Sequence, residues 1–393
     1  ASSGINAMLF LKEEFKQYSI IFDSDLFRPQ EWEDGLVIDF KLMQNIILET
    51  YNPYQFDVIP LEVLGNIYEQ YLGYSIRLTE HQIKYELKPD VRKAGGVYYT
   101  PEYIVDYIVK NTVGKLLQEL SPAKIKKLRI LDPACGSGSF LIRAYEEMLS
   151  WYRSQKKQKS AFREKGEELD LRHAEGEARL TIHEKSQILR QHIFGVDIDE
   201  QAVEVTKLSL MLKMLEGEYG FIPGQALLPL LDQNIRCGNS LISGDVLELK
   251  KYFGDEWYKA QPFNWHREFK EIMEVEGGFD VVIGNPPYGA ELSDSQRNYL
   301  ECHLKLHNTD TACLFMGLAV NLLKRNGMNG FIVPKPFVYS STWGEIREKV
   351  FDGIVEIVDC GKVWKEVKLE QVICAFQKNK KTNHYNSCVR NET

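Results

Sequence analysis

An Asn-Pro-Pro-Tyr string at residues 285–288 follows an apolar, β-branched run that is typical of a buried strand. Two consecutive prolines fix φ and remove two backbone donors, so Pro286 and Pro287 hold the carbonyls of this turn rigidly. The side-chain oxygen of Asn285 and the carbonyl of Pro286 could then accept hydrogen bonds from a planar amine, while Tyr288 stacks on the ring that carries it. Such bonds would free the amine lone pair for attack by orientation and electrostatics, without a covalent intermediate on the protein.

A glycine turn at residues 131–140, LDPACGSGSF, lies between a predicted strand and a predicted helix, where α/β sheets bind ligands. Gly136 and Gly138 let a ligand approach the backbone because they carry no side chain. Asp132 would repel a pyrophosphate and attract a cationic amino-acid group, and Leu141 replaces the third glycine of the dinucleotide fingerprint. The turn therefore favours S-adenosylmethionine over NAD, and a nicotinamide-dependent oxidoreductase is the weaker alternative.

Two later strand ends carry further candidates for the same ligand. Asp197, which ends the run IFGVD, could accept hydrogen bonds from both ribose hydroxyls, with Ile198 against the adenine ring. The adjacent Asp199 is expected to cap the following helix. Asn239, in the string CGNS, could read the edge of the cofactor's adenine if it ends the third strand.

Strands and helices alternate from residue 94 onward, which predicts a mainly parallel sheet with helices on both faces. Residues 1–93 are expected to form a helical N-terminal connector, and residues 94–393 a catalytic domain. The charge-rich stretch 151–190 is predicted to be a solvated helical insertion between the first strand–helix unit and the second strand.

The order of these motifs resembles that of the γ-class DNA adenine-N6 methyltransferases, in particular the methylase portion of type IIG-like restriction–modification proteins. TPEYIVDYIV precedes ILDPACGSGSFL, and GVDID, CGNSL and NPPY follow; the resemblance covers about residues 65–380. Thr100 and Pro101 have the residue types of a helix N-cap and first helical position. The resemblance implies a seven-stranded Rossmann-like methyltransferase sheet. It also implies cofactor contacts at Thr100, Pro101, Asp132, Pro133, Ala134, Cys135 and Gly136, and at Asp310 in HNTDTACLF.

The same resemblance implies that adenine is extruded from duplex DNA, because its amine is inaccessible inside the stack. An aromatic side chain would meet the flipped base edge-on; Trp364 in GKVWKEV is the candidate, and Phe337 in VPKPFVYS competes with it. The product would be N6-methyladenine in DNA, and the reaction needs no metal.

Few residues follow the last predicted strand, so the target-recognition domain of this family is expected to be absent, and double-stranded DNA to bind weakly. The net charge of −8 agrees, since proteins that bind DNA mainly through charge are usually basic. Nuclease and target-recognition domains are expected on a longer parent chain. We also consider a methyltransferase acting on ribosomal RNA or on a protein glutamine amide, and a catalytically silent DNA-binding subunit.

The cysteines and the hydropathy of the sequence indicate the compartment in which the protein is expected. Seven cysteines without CxxC pairs are typical of a reduced, cytoplasmic protein, and they give little support to a zinc site or a disulfide framework. No apolar run approaches the roughly 18 residues of a membrane-spanning helix, so no membrane association is expected.

Overall fold

The computed structural model describes most of the chain from Thr100 onward and shorter stretches before it. The described residues are 13, 16, 39–51, 74–78, 82–87, 100–164, 179–217, 229–364, 369–382 and 384–389. Within them no helix is long and apolar enough to cross a membrane.

The strands of this described part form one two-stranded and one eight-stranded sheet. In chain order they are β1 (Tyr74–Leu78), β2 (Ile83–Leu87), β3 (Ile130–Asp132), β4 (Ile193–Asp197), β5 (Ile235–Cys237), β6 (Phe279–Gly284), β7 (Leu323–Pro334), β8 (Ile354–Gly361), β9 (Gln371–Gln377) and β10 (Asn386–Val389).

The larger sheet has the order β10-β8-β9-β7-β6-β3-β4-β5, in which β9 runs antiparallel to β7 and β8 and the other pairs are parallel. The prediction of a mainly parallel sheet is confirmed. The strand count of seven is corrected to eight, because β10 adds to the edge beside β8. The chain leaves β3 for β4 on one side and returns to β6 on the other, which places a topological switch point between β3 and β6.

The helices of the described residues from 100 onward flank this sheet, and one further helix precedes them. They are α1 (Phe40–Tyr51), α2 (Glu102–Val109), α3 (Lys115–Glu119), α4 (Pro122–Ile125), α5 (Ser139–Glu164), α6 (Ile182–His192), α7 (Glu200–Leu215), α8 (Val246–Phe253), α9 (Trp265–Glu268), α10 (Asp294–Leu304), α11 (Thr311–Leu322), α12 (Pro336–Tyr339) and α13 (Gly344–Val350). A π-helical turn, Lys110–Gly114, continues α2 into α3.

Two apolar cores lie on opposite faces of the sheet, because successive strand side chains point to opposite sides. Ile130 and Val281 belong to the core that also contains Ile104 of α2 and the buried side of α5. Their chain neighbours Leu131 and Val282 belong to the core formed with α10, α11 and α13. Helices therefore cover both faces, as the alternation of elements predicts.

The part before residue 94 is not helical throughout, which corrects the sequence-based expectation. The structure describes α1 there and also the antiparallel hairpin β1–β2, in which Tyr74 pairs with Leu87. YSIRL and IKYEL alternate apolar and polar residues with a period of two, the pattern of a strand. The domain boundary at residue 93 stays a prediction.

The charged stretch 151–190 is helical over its described residues except 179–181. It contains the C-terminal half of α5 and most of α6, whose N-terminus is closed by a capping box between Thr181 and Glu184. Residues 165–178 lie outside the described residues.

Candidate active site at the carboxyl ends of β3 and β6

The glycine turn and the Asn-Pro-Pro-Tyr turn meet at the carboxyl ends of two adjacent strands. β3 and β6 pair in parallel, with Leu131 opposite Val282. Gly284 has φ of 151°, and a Cβ added to it would lie 2.6 Å from Oδ1 of Asp132. The two turns are therefore in direct contact, and they approach this closely only because residue 284 is glycine.

Asp132 is a buried carboxylate with one oxygen free. Its Oδ1 accepts a hydrogen bond from the backbone N–H of Ala134 at 3.0 Å, whereas its buried Oδ2 has no partner among the described residues. Burial raises the pKa of Asp132 to about 8, and the nearby charge of Asp197 adds to the rise. An unpaired acceptor of this kind suits a cationic ligand group.

The glycine turn is held in left-handed backbone conformations that glycine adopts readily. Gly136 has φ of 52° and Gly138 has φ of 87°. The side chain of Thr206, from α7, donates to the carbonyl of Gly136 at 2.7 Å and fills the space beside Gly138. Sequence reasoning missed Thr206, and no local motif marks it because its role follows from the packing of α7 against the turn.

Asp197, the last residue of β4, binds the backbone of the glycine turn. Its Oδ2 accepts the backbone N–H of Gly136 at 2.8 Å, and its Oδ1 accepts that of Asp199 at 2.9 Å. Burial raises its pKa. Each carboxylate oxygen has a second lone pair, so a ribose contact remains chemically available. Asp199 caps α7 through Gln201, as predicted.

The predicted adenine contacts lie at neighbouring strand ends. Ile198 is an apolar side chain that is 50% exposed, which leaves it free to cover a flat ring. Asn239 is half-buried after β5, and its Oδ1 accepts the N–H of Leu241 at 3.1 Å. Contacts of Ile198 and Asn239 with a cofactor stay predictions.

The remaining cofactor candidates of the glycine turn have structural partners. The carbonyl of Pro133 accepts the hydroxyl of Ser240 at 2.6 Å, which ties the glycine turn to the loop after β5. Cys135 is buried and donates its backbone N–H to Val196. The pKa of the Cys135 thiol is raised well above its usual range by burial, so the side chain stays a neutral packing group.

The Asn-Pro-Pro-Tyr turn is anchored from the N-terminus of α11. The hydroxyl of Thr311 donates to the carbonyl of Pro287 at 2.6 Å and accepts the N–H of Ala290 at 3.3 Å. Asp310 caps α11 and also accepts the N–H of Gly289. The described partners of Asp310 therefore belong to its own helix and to the residue after the Asn-Pro-Pro-Tyr turn, while its predicted cofactor contact stays a prediction.

Asn285 presents its side-chain oxygen without a partner. Its Nδ2 donates to the hydroxyl of Thr100 at 3.0 Å, and its buried Oδ1 accepts no hydrogen bond among the described residues. The N-cap expected at Thr100 is wrong, because α2 begins at Glu102 with Pro101 as its cap and without a side-chain capping bond. The Thr100 hydroxyl contacts the Asn-Pro-Pro-Tyr turn instead.

Tyr288 and Trp364 face each other beside this turn. Their ring centroids are 6.3 Å apart at an interplanar angle of 69°, an edge-on arrangement. The Tyr288 hydroxyl donates to the carbonyl of Ile332 at 3.2 Å, and burial raises its pKa, so it stays protonated. Phe337 is 1% exposed and packs edge-on against Trp343 in the opposite core, which favours Trp364 as the aromatic of the site.

A separate cavity of about 300 Å³ opens beside β5 and α7. None of the predicted site residues lines it. The charged side chains there neutralise one another, since Lys207 pairs with Asp232 at 2.5 Å and Arg236 pairs with Glu268. Within the described residues no group of histidine, cysteine and acidic side chains could hold a metal ion.

Two family models match parts of the chain's sequence. Residues 191–364 match the Eco57I restriction-modification methylase family, and residues 109–234 match the RMKL-like methyltransferase domain. Over 359 residues the chain is 30% identical to the type II restriction enzyme and methyltransferase RM.Eco57I of Escherichia coli, an alignment that covers 86% of this chain and 33% of that protein. In sequence the chain is thus similar to restriction–modification methylases.

This methylase is also similar to the adenine-specific methyltransferase BrxX of Escherichia coli O9:H4 (strain HS), at 22% identity over 74% of the chain and 30% of that protein. It thus spans about a third of the length of these curated relatives. Its fold is similar to that of a nuclease-deletion mutant of the type ISP restriction-modification enzyme LlaGI in complex with a DNA substrate mimic, with a TM-score of 0.58 and 16% identity over 98% of this chain and 30% of that one.

These similarities confirm the methyltransferase assignment and S-adenosylmethionine as the cofactor expected from the glycine turn. The residues present fit that group. The unpaired Oδ2 of Asp132 offers an acceptor to a cationic moiety, and the space beside it exists only because Gly284 has no side chain. Asp197 and the exposed Ile198 provide polar and apolar surfaces for a nucleoside.

Proposed function

We propose that this methylase transfers a methyl group from S-adenosylmethionine to the exocyclic N6 amine of an adenine flipped out of DNA, within a restriction–modification system. The observation that carries the proposal is the buried, unpartnered Oδ1 of Asn285, which lies in a turn that contacts the glycine turn. Burying an amide oxygen without a hydrogen bond costs about 1–3 kcal/mol, a cost that a bound amine donor would remove.

Each residue of the turn has a distinct task in the proposed reaction. Asn285 Oδ1 and the carbonyl of Pro286 accept the two amine hydrogens, which draws the nitrogen lone pair out of conjugation with the ring. Pro287 keeps the turn rigid, Tyr288 stacks on the base, and Trp364 meets the base edge-on. S-adenosylmethionine supplies the methyl group. The amine nitrogen would bond to that methyl as the sulfur–methyl bond breaks, S-adenosylhomocysteine would leave, and the nitrogen would give up one proton to water.

Residues at the carboxyl ends of β3, β4 and β5, with others beside them, hold the cofactor in this proposal. Asp132 binds the cationic end, Asp197 the ribose, and Ile198 and Asn239 the adenine. The backbone of the glycine turn supplies the close approach, with the following residues lining it: Thr100, Pro101, Pro133, Ala134, Cys135, Gly136, Gly138 and Asp310.

Double-stranded DNA is the proposed substrate because relatives of this chain carry restriction–modification or adenine-specific methyltransferase names. Those relatives are about three times as long, so the parent protein would supply further domains, with target recognition and DNA cleavage among their proposed tasks. Ribosomal RNA and protein glutamine are the less favoured substrates, since none of these names points to them.

The test is Asn285→Ala with methyl transfer to duplex DNA measured from labelled cofactor. Loss of the amine acceptor should lower kcat by about 100- to 1000-fold, the range found when one transition-state hydrogen-bond partner is removed. Binding of S-adenosylmethionine, followed by calorimetry, should change little because Asn285 is assigned to the amine.

Asn298→Ala is the matched control, since Asn298 is exposed on α10. It should keep wild-type kcat. Methyl transfer that is unchanged in Asn285→Ala would contradict the role proposed for Asn285. Absence of transfer by the wild type would favour a silent DNA-binding subunit, and label found in RNA or protein instead of DNA would reassign the substrate.

A further inference from the structure

We infer that Thr100 is a positioning residue for the side-chain amide of Asn285, and this inference rests on the proposed N6 methyl transfer. The two residues come from distant parts of the chain, and the Thr100 hydroxyl accepts Asn285 Nδ2–H at 3.0 Å. This hydroxyl forms no cap on α2, and its described hydrogen bond joins it to Asn285 in the Asn-Pro-Pro-Tyr turn.

The chemistry of the amine decides which way the amide must face. An exocyclic amine brings only donors to this pocket, so Asn285 has to present its oxygen. The amide nitrogen then faces the opposite side, and a hydroxyl there can accept its hydrogen. If the amide were reversed, its NH₂ group would face the amine, and two donors would oppose each other.

Packing holds the Thr100 hydroxyl in place before any substrate binds. Thr100 is 5% exposed, and its β-branched side chain has few χ1 rotamers. Pro101, at φ of −54°, follows it and restricts its backbone to extended conformations. Ile104 and Val105, on the next helical turn, are buried in the core beneath. The acceptor for Asn285 is thus fixed by the fold, which is the arrangement that preorganised catalysis requires.

The decisive variant is Thr100→Val, which keeps the shape of the side chain and removes the acceptor. With cofactor and DNA saturating, kcat should fall about 10- to 100-fold, because a small misplacement of a catalytic group has an effect of this size. The KM for DNA should stay within about twofold, since substrate-binding surfaces are untouched. Thr100→Ser restores the hydroxyl and should recover most of the lost kcat.

Thr112→Val is the matched control. Thr112 is also buried, but its hydroxyl donates to the carbonyl of Ile108 within its own helical segment, away from the turn. It should retain wild-type kcat, which separates the specific effect of Thr100 from the loss of any buried threonine hydroxyl. In an Asn285→Ala background, Thr100→Val should have no further effect on kcat, because the group that it positions is gone.

Three results would overturn the inference: a wild-type kcat in Thr100→Val, an equal fall in Thr112→Val, or a defect confined to the affinity for S-adenosylmethionine. Crystal structures of the wild type and of Thr100→Val add a readout that needs no activity, and the Asn285 amide should be rotated in the variant. If the Asn285 amide keeps its orientation in Thr100→Val, the positioning role of Thr100 is contradicted, while the proposed function is not. Absence of DNA methylation by the wild type would instead contradict the proposed function.

Discussion

Asp132 combines a free carboxylate oxygen with a pKa of about 8, far above the usual aspartate value, because burial disfavours its charge. In the free protein at pH 7 this carboxyl is therefore mainly protonated. A cation placed against it favours the ionised form and lowers its pKa. Binding of S-adenosylmethionine should then be coupled to proton release.

We expect calorimetric titration with S-adenosylmethionine at pH 7 to report release of roughly one proton, seen as different heats in buffers of different ionisation enthalpy. The affinity should rise as the pH increases toward 8, since less work is needed to ionise Asp132. Asp132→Asn keeps an oxygen for the N–H of Ala134 and should abolish the buffer dependence. Equal heats in all buffers with the wild type would contradict the coupling.

Much of this site could be predicted from residue types, and the exceptions have physical reasons. The rigidity of Pro286 and Pro287 and the charge logic of Asp132 are local properties, so sequence alone indicates them. For Thr100 the sequence predicts a helix cap and a cofactor contact. It gives no sign of the hydrogen bond to Asn285, because that bond joins residues distant in sequence. Thr311 was missed for the same reason, since only the packed fold brings its hydroxyl to Pro287.

Among the elements, the contact between the turns after β3 and β6 joins the two parts of the candidate site. Gly284→Ala would place a methyl group 2.6 Å from Asp132 Oδ1, in a backbone conformation that alanine rarely adopts. The turns would have to separate, so both cofactor affinity and kcat should fall, together with roughly 1–3 kcal/mol of stability. Cofactor titration and urea denaturation measure these losses.

Gly344→Ala is the control for this prediction, because a Cβ at that position meets open space at the start of α13. It should leave catalysis unchanged and alter stability by less than about 1 kcal/mol. A Gly284→Ala variant that binds cofactor normally would show that the two turns do not need this close approach.

The elements themselves follow sequence pattern to different degrees. The four apolar residues of α2 that recur at helical spacing are all buried, as an amphipathic helix requires: Ile104, Val105, Ile108 and Val109. β10 was not foreseen because its four residues are exposed and carry no apolar alternation. Pairing with β8, a tertiary contact, is what makes it a strand.

For the molecule as a whole, His192 links stability to pH. Its side chain is fully buried, with Nδ1 on the carbonyl of Leu128 at 2.6 Å and Nε2 against the hydroxyl of Tyr152 at 3.0 Å. Because the carbonyl can only accept, Nδ1 carries the proton of a neutral imidazole. Burial lowers the pKa of His192 to about 4, whereas the unfolded chain titrates near 6.5.

The unfolded state therefore binds the extra proton between pH 6.5 and 4, and stability should fall as the pH decreases through that window. Between pH 7 and pH 5 this group should remove about 2 kcal/mol from the free energy of unfolding, measured by urea denaturation. His192→Gln should lose this part of the pH dependence, while His266→Gln, at an exposed position, should retain it. An identical pH slope in wild type and His192→Gln would refute the assignment.

The pairing of β3 with β6 also has a consequence for biosynthesis. The carboxylate proposed to bind the cofactor and the amide proposed to bind the base lie at the ends of strands that are distant in sequence and adjacent in space. When synthesis has reached only β5, the strand β6 that pairs with β3 has not yet been made. The glycine turn then lacks its contact with Gly284. Competence to hold the methyl donor should thus arise late in translation and in a single step, when the sixth strand docks.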